Sequence, residues 1–176
     1  RSEEELSLIG LAHLSGAKAP RVLIGGLGMA FTLRAALDAC AADARVTVAE
    51  LNPVVLDWCR GPLAPLTNNA VADPRVTVAL DDVARVIATT KPAAFDAILL
   101  DLYEGPNAPA QVRDDPFYGP TALARTHAAL APGGVFGVWA EDPDAAFAKR
   151  MASRFTVTTH RIGEGGRRHI VYLGRR

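Results

Sequence analysis

The chain has 176 residues, 49% hydrophobic and 22% charged, and its 19 Lys/Arg balance 19 Asp/Glu for a formal net charge of zero. Such a chain is long enough for one globular domain with a proper core. No stretch approaches the roughly 20 apolar residues of a membrane helix and no signal peptide is visible, so no membrane partner is expected.

The sequence starts at Arg1 and not at methionine, as expected of a chain with a segment preceding it. Ser2-Glu3-Glu4-Glu5 is a capping box, with Ser2 as cap and Glu5 at N3, for a helix running to about Leu14. Pro20 closes the linker to a first strand, Val22-Leu23-Ile24. That strand ends abruptly in Gly25-Gly26-Leu27-Gly28-Met29-Ala30. A second helix follows, its apolar face marked by Leu33, Ala36, Leu37 and Cys40 at i, i+3, i+4, i+7. Small residues let a backbone come close to a ligand, and helix N-terminal amides point into the same space. The dinucleotide pattern G-x-G-x-x-G needs a small residue where Phe31 stands. Gly26, Gly28 and Ala30 instead form G-x-G-x-A, the spacing of S-adenosylmethionine-type sites.

RVTVAE at 45–50 is the second strand, and Asn52-Pro53 opens the next helix. An irregular stretch with Pro62, Pro65 and Asn68-Asn69 leads to Asp73-Pro74 and a third strand, RVTVAL at 75–80. Asp81-Asp82 then starts a short helix to about Thr89. The fourth strand, Phe95 to Leu100, holds the unbroken apolar run Ala97-Ile98-Leu99-Leu100, of the kind covered on both faces, and it ends in Asp101. Tyr103 to Gly119 is a long Pro-, Gly- and Asp-rich loop, a length usual for functional lids or disordered segments. Thr121 to Leu130 is a helix, Ala131-Pro132-Gly133-Gly134 a turn, Val135 to Ala140 the fifth strand and Pro143 to Met151 a helix. Phe155 to Arg161 and His169 to Leu173, joined by Gly163-Glu164-Gly165-Gly166, form a terminal hairpin.

This alternation predicts an α/β fold: a mostly parallel seven-stranded sheet with helices on both faces and an antiparallel C-terminal hairpin, the Rossmann-like methyltransferase pattern, in a single domain over 1–176. Cys40 and Cys59 fall in helix-like segments without metal spacing, and are expected reduced and buried, as in a cytoplasmic protein. No metal site is expected. Residues 141–176 hold eight Lys/Arg and four Asp/Glu, a net of +4 that leaves −4 for the rest. Because those arginines are not interleaved with aromatics, they are expected on a solvated hairpin face and not on nucleic acid. His127 is expected in the core, and Trp58 and Trp139 in packing roles.

Glu50, Asp81-Asp82 and Asp101 each end a strand, on the edge that carries the glycine turn. Glu50 follows Ala30 by 20 residues, the separation at which an acid reaches ribose hydroxyls, and Leu51 is placed beside the ligand with it. Asp82 can accept from an adenine amino group while the Val83 amide donates to a ring nitrogen. Binding and helix capping can both be served here, with Asp81 capping the following helix and Asp82 binding the ligand, or the reverse. Asp101, with Glu104 three residues on, can hold a cationic amine and take its proton as it attacks an electron-poor carbon. The alternative for Asp101 is a bond to loop amides.

With these residues in place, the chain resembles the spermidine synthase (polyamine aminopropyltransferase) family over about residues 3 to 140. The resemblance rests on VLIGGLGMAFTLRAAL, VAELNPVVLDWCR, DPRVTVALDD, FDAILLDLYEGP and PFYGPTALARTHAALAPGG, and on their order. It implies transfer of an aminopropyl group from decarboxylated S-adenosylmethionine to putrescine or a similar amine, and a homodimer. Glu50 would bind ribose, Asp82 and Val83 adenine, and Asp101 would accept the proton. Three features depart from the family. Gly28 stands where an amine-binding Asp aligns, Asp101-Leu102-Tyr103-Glu104-Gly105 replaces Asp-Ser-Ser/Thr-Asp-Pro, and the N-terminal β-strand domain is absent from these residues. Three readings follow: aminopropyl transfer, methyl transfer from intact S-adenosylmethionine with the methionine carboxylate in the room at Gly28, and a non-catalytic module on the same scaffold.

Overall fold

A computed structural model describes residues 2–107, 112–163 and 168–176. Its strands are β1 (Arg21–Gly25), β2 (Arg45–Ala49), β3 (Val76–Ala79), β4 (Phe95–Leu100), β5 (Leu130–Ala140), β6 (Thr156–Ile162) and β7 (His169–Arg175). Its α-helices are α1 (Ser2–Leu11), α2 (Phe31–Ala39), α3 (Pro53–Arg60), α4 (Val83–Thr89), α5 (Pro120–Ala129) and α6 (Ala145–Met151). The seven strands form one sheet in the order β3-β2-β1-β4-β5-β7-β6. The first five are parallel and β7 runs antiparallel to both β5 and β6.

Most elements start and stop where apolar periodicity and turn chemistry predict, with three local differences. Ser2, expected to cap α1, is instead its first residue. The α-helix ends at Leu11, and a 3-10 turn carries the chain to Leu14. The Ala131–Gly134 turn is absorbed into β5: Phe95 pairs with Leu130 and Ala97 with Val135, so β5 bulges while β4 advances by a single pleat. The expected hairpin turn lies, apart from Gly163, outside the described residues.

Alternation along β1 and β4 builds two cores. Val22, Ile24, Ala97 and Leu99 face one side, where α1 and α2 bring Leu6, Leu11, Leu33 and Leu37. Leu23, Ile98 and Leu100 face the other, against Leu123, Phe136, Phe147 and Tyr172. Sequence neighbours β1 and β2 lie side by side, whereas β4 is on the opposite flank of β1. The connections therefore leave β1 in opposite directions and open a crevice at its carboxyl end. Asn68 and Asn69, both at positive φ (48° and 54°), link two 3-10 turns in the irregular stretch, a conformation the short amide side chain tolerates.

Candidate active site

The crevice is organised by the turn after β1. Gly26 and Gly28 are left-handed, with φ of +89° and +50°, and Ala30, which starts α2, is also left-handed at +65°. Backbone bonds stitch this turn to both neighbours: Gly26 N–H donates to Ala49 O at 2.9 Å, and Asp101 N–H to Gly25 O at 3.0 Å. The ends of β1, β2 and β4 are thereby held level, which brings their terminal acids together.

Glu50 spans the turn and the start of the next helix. Its Oε2 accepts from Leu27 N–H at 3.0 Å and its Oε1 from Asn52 N–H at 2.8 Å. The Asn52 side chain caps α3 through Val54 N–H. On α3, Cys59 donates its thiol to Gly28 O at 3.2 Å, and burial pushes that thiol up, with Glu50 adding to the effect. Cys59 is buried as expected; Cys40 is only half-buried.

After β3, Asp82 caps α4, its Oδ1 accepting from Ala84 N–H at 2.8 Å. Asp81 accepts from Asp82 N–H at 2.6 Å and pairs with Arg85, whose guanidinium draws the Asp81 carboxyl below its ordinary value. Of the two cap assignments left open by the sequence, Asp82 takes the cap.

Asp101 is anchored from across the crevice. Thr32, 2% exposed on the first turn of α2, donates its hydroxyl to Asp101 Oδ2 at 2.6 Å. Thr32 is itself tied to α1, where Ser7 donates to its carbonyl at 2.7 Å. Nothing in the apolar periodicity of α2 marks Thr32; the available signal is a hydroxyl one residue beyond Phe31, in the first turn of the helix that follows the glycine loop. Tyr118 lies within electrostatic reach of Asp101 but lines neither cavity. It is buried, its hydroxyl has no hydrogen-bond partner among the described residues, and burial with the nearby Asp115 and Asp101 charges drives its phenol far above the ordinary value.

Gly26, Gly28, Glu50, Leu51, Asp81, Asp82, Val83 and Asp101 line one cavity of about 350 Å³, which Phe117 also borders. A second cavity of about 380 Å³ shares Gly28, Val55, Asp101 and Tyr103 with the first and continues between Phe31, Trp58, Leu63 and Trp139. Trp58 is 53% exposed, so it forms cavity wall and not packing. Trp139 lines the same cavity while its ring rests on His169, centroids 4.9 Å apart. Glu104 reaches neither cavity. The chain turns at Leu102–Gly105, closed by Gly105 N–H to Leu102 O at 3.0 Å with Tyr103 at φ +48°, and Glu104 stands exposed outside. Its carbonyl, and not its carboxylate, is built in, accepting from Glu141 N–H at 3.0 Å.

His13 contacts the Gly10 and Asp96 carbonyls, and His127 is half-buried edge-on to Phe155, its imidazole pushed down by burial. Among the described residues, no three His, Cys, Asp or Glu side chains gather in a way that could hold a metal ion. No described helix is long and apolar enough to cross a membrane.

A family model described as the spermine/spermidine synthase domain matches residues 7–161. The chain belongs to the spermine/spermidine synthase family. A relative named polyamine aminopropyltransferase, from Mycobacterium tuberculosis, is 35% identical over 139 residues, covering 78% of this chain and 25% of that protein. Another, putrescine N-methyltransferase 3 of Nicotiana tabacum, is 34% identical over 122 residues, covering 69% of this chain and 30% of that protein. The chain thus spans about a quarter to a third of these relatives. The crystal structure of spermidine synthase from Thermotoga maritima superposes with a TM-score of 0.77 at 19% identity, covering 98% of this chain and 58% of that one, a likeness of fold. Within the synthase family framework, this chain's turn carries no side chain at Gly28, and a Cβ there would meet nothing within 4 Å.

Proposed function

We propose that this chain is the adenosyl-binding domain of a transferase that moves an aminopropyl group from decarboxylated S-adenosylmethionine to an amine acceptor. The observation that carries the reading is that one cavity is bordered by the glycine turn, Glu50, the Asp82–Val83 helix start and Asp101. Glu50 receives the ribose hydroxyls on a carboxylate already braced by two backbone amides. Val83 N–H and the Asp82 carboxylate meet the adenine edge. Asp82 can do this while capping α4, since a carboxylate has two oxygens with acceptor capacity to spare.

In this reading Asp101 stands where the donor and acceptor cavities meet. The acceptor arrives as an ammonium and gives up one proton to the Asp101 carboxylate, which frees the nitrogen lone pair. That pair forms the new C–N bond as the C–S bond breaks, and the C–S electron pair retires onto sulfur. The products are a neutral thioether nucleoside, methylthioadenosine, and a secondary ammonium. Two effects account for the rate: alignment of nitrogen, carbon and sulfur, and charge on Asp101 where the proton departs. Thr32 holds the carboxylate in that orientation. The assembly that completes this reading is a cytoplasmic homodimer.

Gly28 favours a second reading. Its open surroundings leave room for the methionine carboxylate of intact S-adenosylmethionine, and a relative of nearly equal similarity is named as a putrescine N-methyltransferase. Calorimetric titration with each donor in turn separates the two. Tighter binding of the decarboxylated donor supports aminopropyl transfer, tighter binding of intact S-adenosylmethionine supports methyl transfer, and binding of neither donor nor methylthioadenosine removes both.

A further inference from the structure

The second cavity differs from what a diamine requires. A diamine such as putrescine carries two ammonium ends at neutral pH, and burying a charge without a partner is strongly unfavourable. Of the described residues lining this cavity, Asp101 alone carries a carboxylate, and it sits at the end shared with the first cavity. Glu104, the second acid of the loop, is turned out of reach by the Leu102–Gly105 turn. Beyond Asp101 the walls are Phe31, Trp58, Leu63 and Trp139, with Tyr103, 84% exposed, at the junction. An indole face attracts a cation only weakly where water competes, and Trp58 is half exposed. The same faces offer a flat ring both apolar contact and edge or offset stacking.

We infer that the second cavity selects a primary monoamine with an aromatic or bulky apolar body over an α,ω-diamine, the amine at Asp101 and the body between Phe31, Trp58 and Trp139. The inference rests on the transferase reading above and narrows its acceptor. It also accounts for Tyr103, a bulky residue held at positive φ where a side chain of that kind is seldom found. That backbone conformation sets an aromatic ring where the two cavities join.

The test is calorimetric, on the full chain saturated with methylthioadenosine, using 2-phenylethylamine, butylamine and putrescine as probes. Phenylethylamine is expected to bind at least about tenfold more tightly than putrescine, with butylamine between them. Trp58→Ala, a surface substitution unlike a core deletion, is expected to remove about tenfold of the phenylethylamine affinity and leave methylthioadenosine affinity unchanged. Equal or tighter binding of putrescine, or indifference of phenylethylamine to Trp58→Ala, overturns the inference while the donor reading stands. Failure of methylthioadenosine to bind at all overturns the donor reading and this inference with it.

Discussion

Gly26 is packed against the carbonyl of Asp101: a Cβ built on Gly26 would stand 2.4 Å from that oxygen, closer than real Cβ atoms approach. The glycine turn and the acid that ends β4 are therefore one unit, and the turn can approach only because Gly26 carries no side chain. Gly26 is also left-handed at φ +89°, so any L-residue there is strained twice over. Gly26→Ala is expected to lower stability by about 2–4 kcal/mol, a melting temperature drop of roughly 10 °C. Methylthioadenosine binding should be lost with it. A thermal melt near wild type would show that β1 and β4 do not meet as described.

Gly28 provides the opposite case, since a side chain there has open space and Asp tolerates the left-handed conformation. Gly28→Asp is expected to fold normally. The added carboxylate attracts the aminopropyl ammonium of the decarboxylated donor and repels the carboxylate of intact S-adenosylmethionine. The affinity ratio between the two donors should move by about tenfold toward the decarboxylated one. Titration of both donors against both proteins measures this ratio, and an unchanged ratio would place the donor's tail away from Gly28.

Thr32→Val removes the hydroxyl that donates to Asp101 Oδ2 while nearly preserving shape. On the role proposed for Asp101, kcat should fall by about tenfold or more. Affinity for methylthioadenosine should stay within about twofold, since Thr32 is not among the residues that line the first cavity. Thr32→Ser restores the hydroxyl and should recover most of the rate. Equal losses in Thr32→Ser and Thr32→Val would assign Thr32 a packing role alone.

Asp73 and Arg75 make a prediction about pH. Arg75 Nη2 pairs with Asp73 Oδ2 at 2.9 Å, and its Nη1 donates to the carbonyls of Leu37 and Cys40 at the end of α2, at 2.8 and 3.3 Å. The side-chain hydrogen bond from Arg75 holds the Asp73 carboxyl down to about 2. A carboxyl lower in the folded than in the unfolded chain stabilises the fold above the unfolded value. That stability is present above about pH 4 and is lost as pH falls toward about 2. Asp73→Asn should cost about 1 kcal/mol at pH 7, after allowance for solvent screening, and the deficit should shrink in acid. Denaturant melts at pH 7 and pH 3 would give equal deficits if the pair contributed nothing.

Much of this was readable in the residue order. Apolar runs broken by Gly25-Gly26, Glu50, Asp81 and Asp101 mark strand ends, because a buried strand carries no charge until it leaves the core. Asn52 and Asp82 announce helix starts, because a short polar side chain satisfies amides that the first helical turn leaves open. Parallel crossovers then put every such end on one rim.

What the residue order could not supply depends on neighbours remote in sequence. Whether Trp58 packs or lines a cavity depends on where α3 lies relative to the glycine turn, and Thr32 meets Asp101 only because β4 sits beside β1 and not beside β3. Glu104 stood next to Asp101 on paper, yet a left-handed residue at Tyr103 turned it away. Local chemistry chose the strand ends and caps, since those interactions span a few residues; the pairing of distant side chains waited on strand order and one turn, since these alone set distances across the crevice.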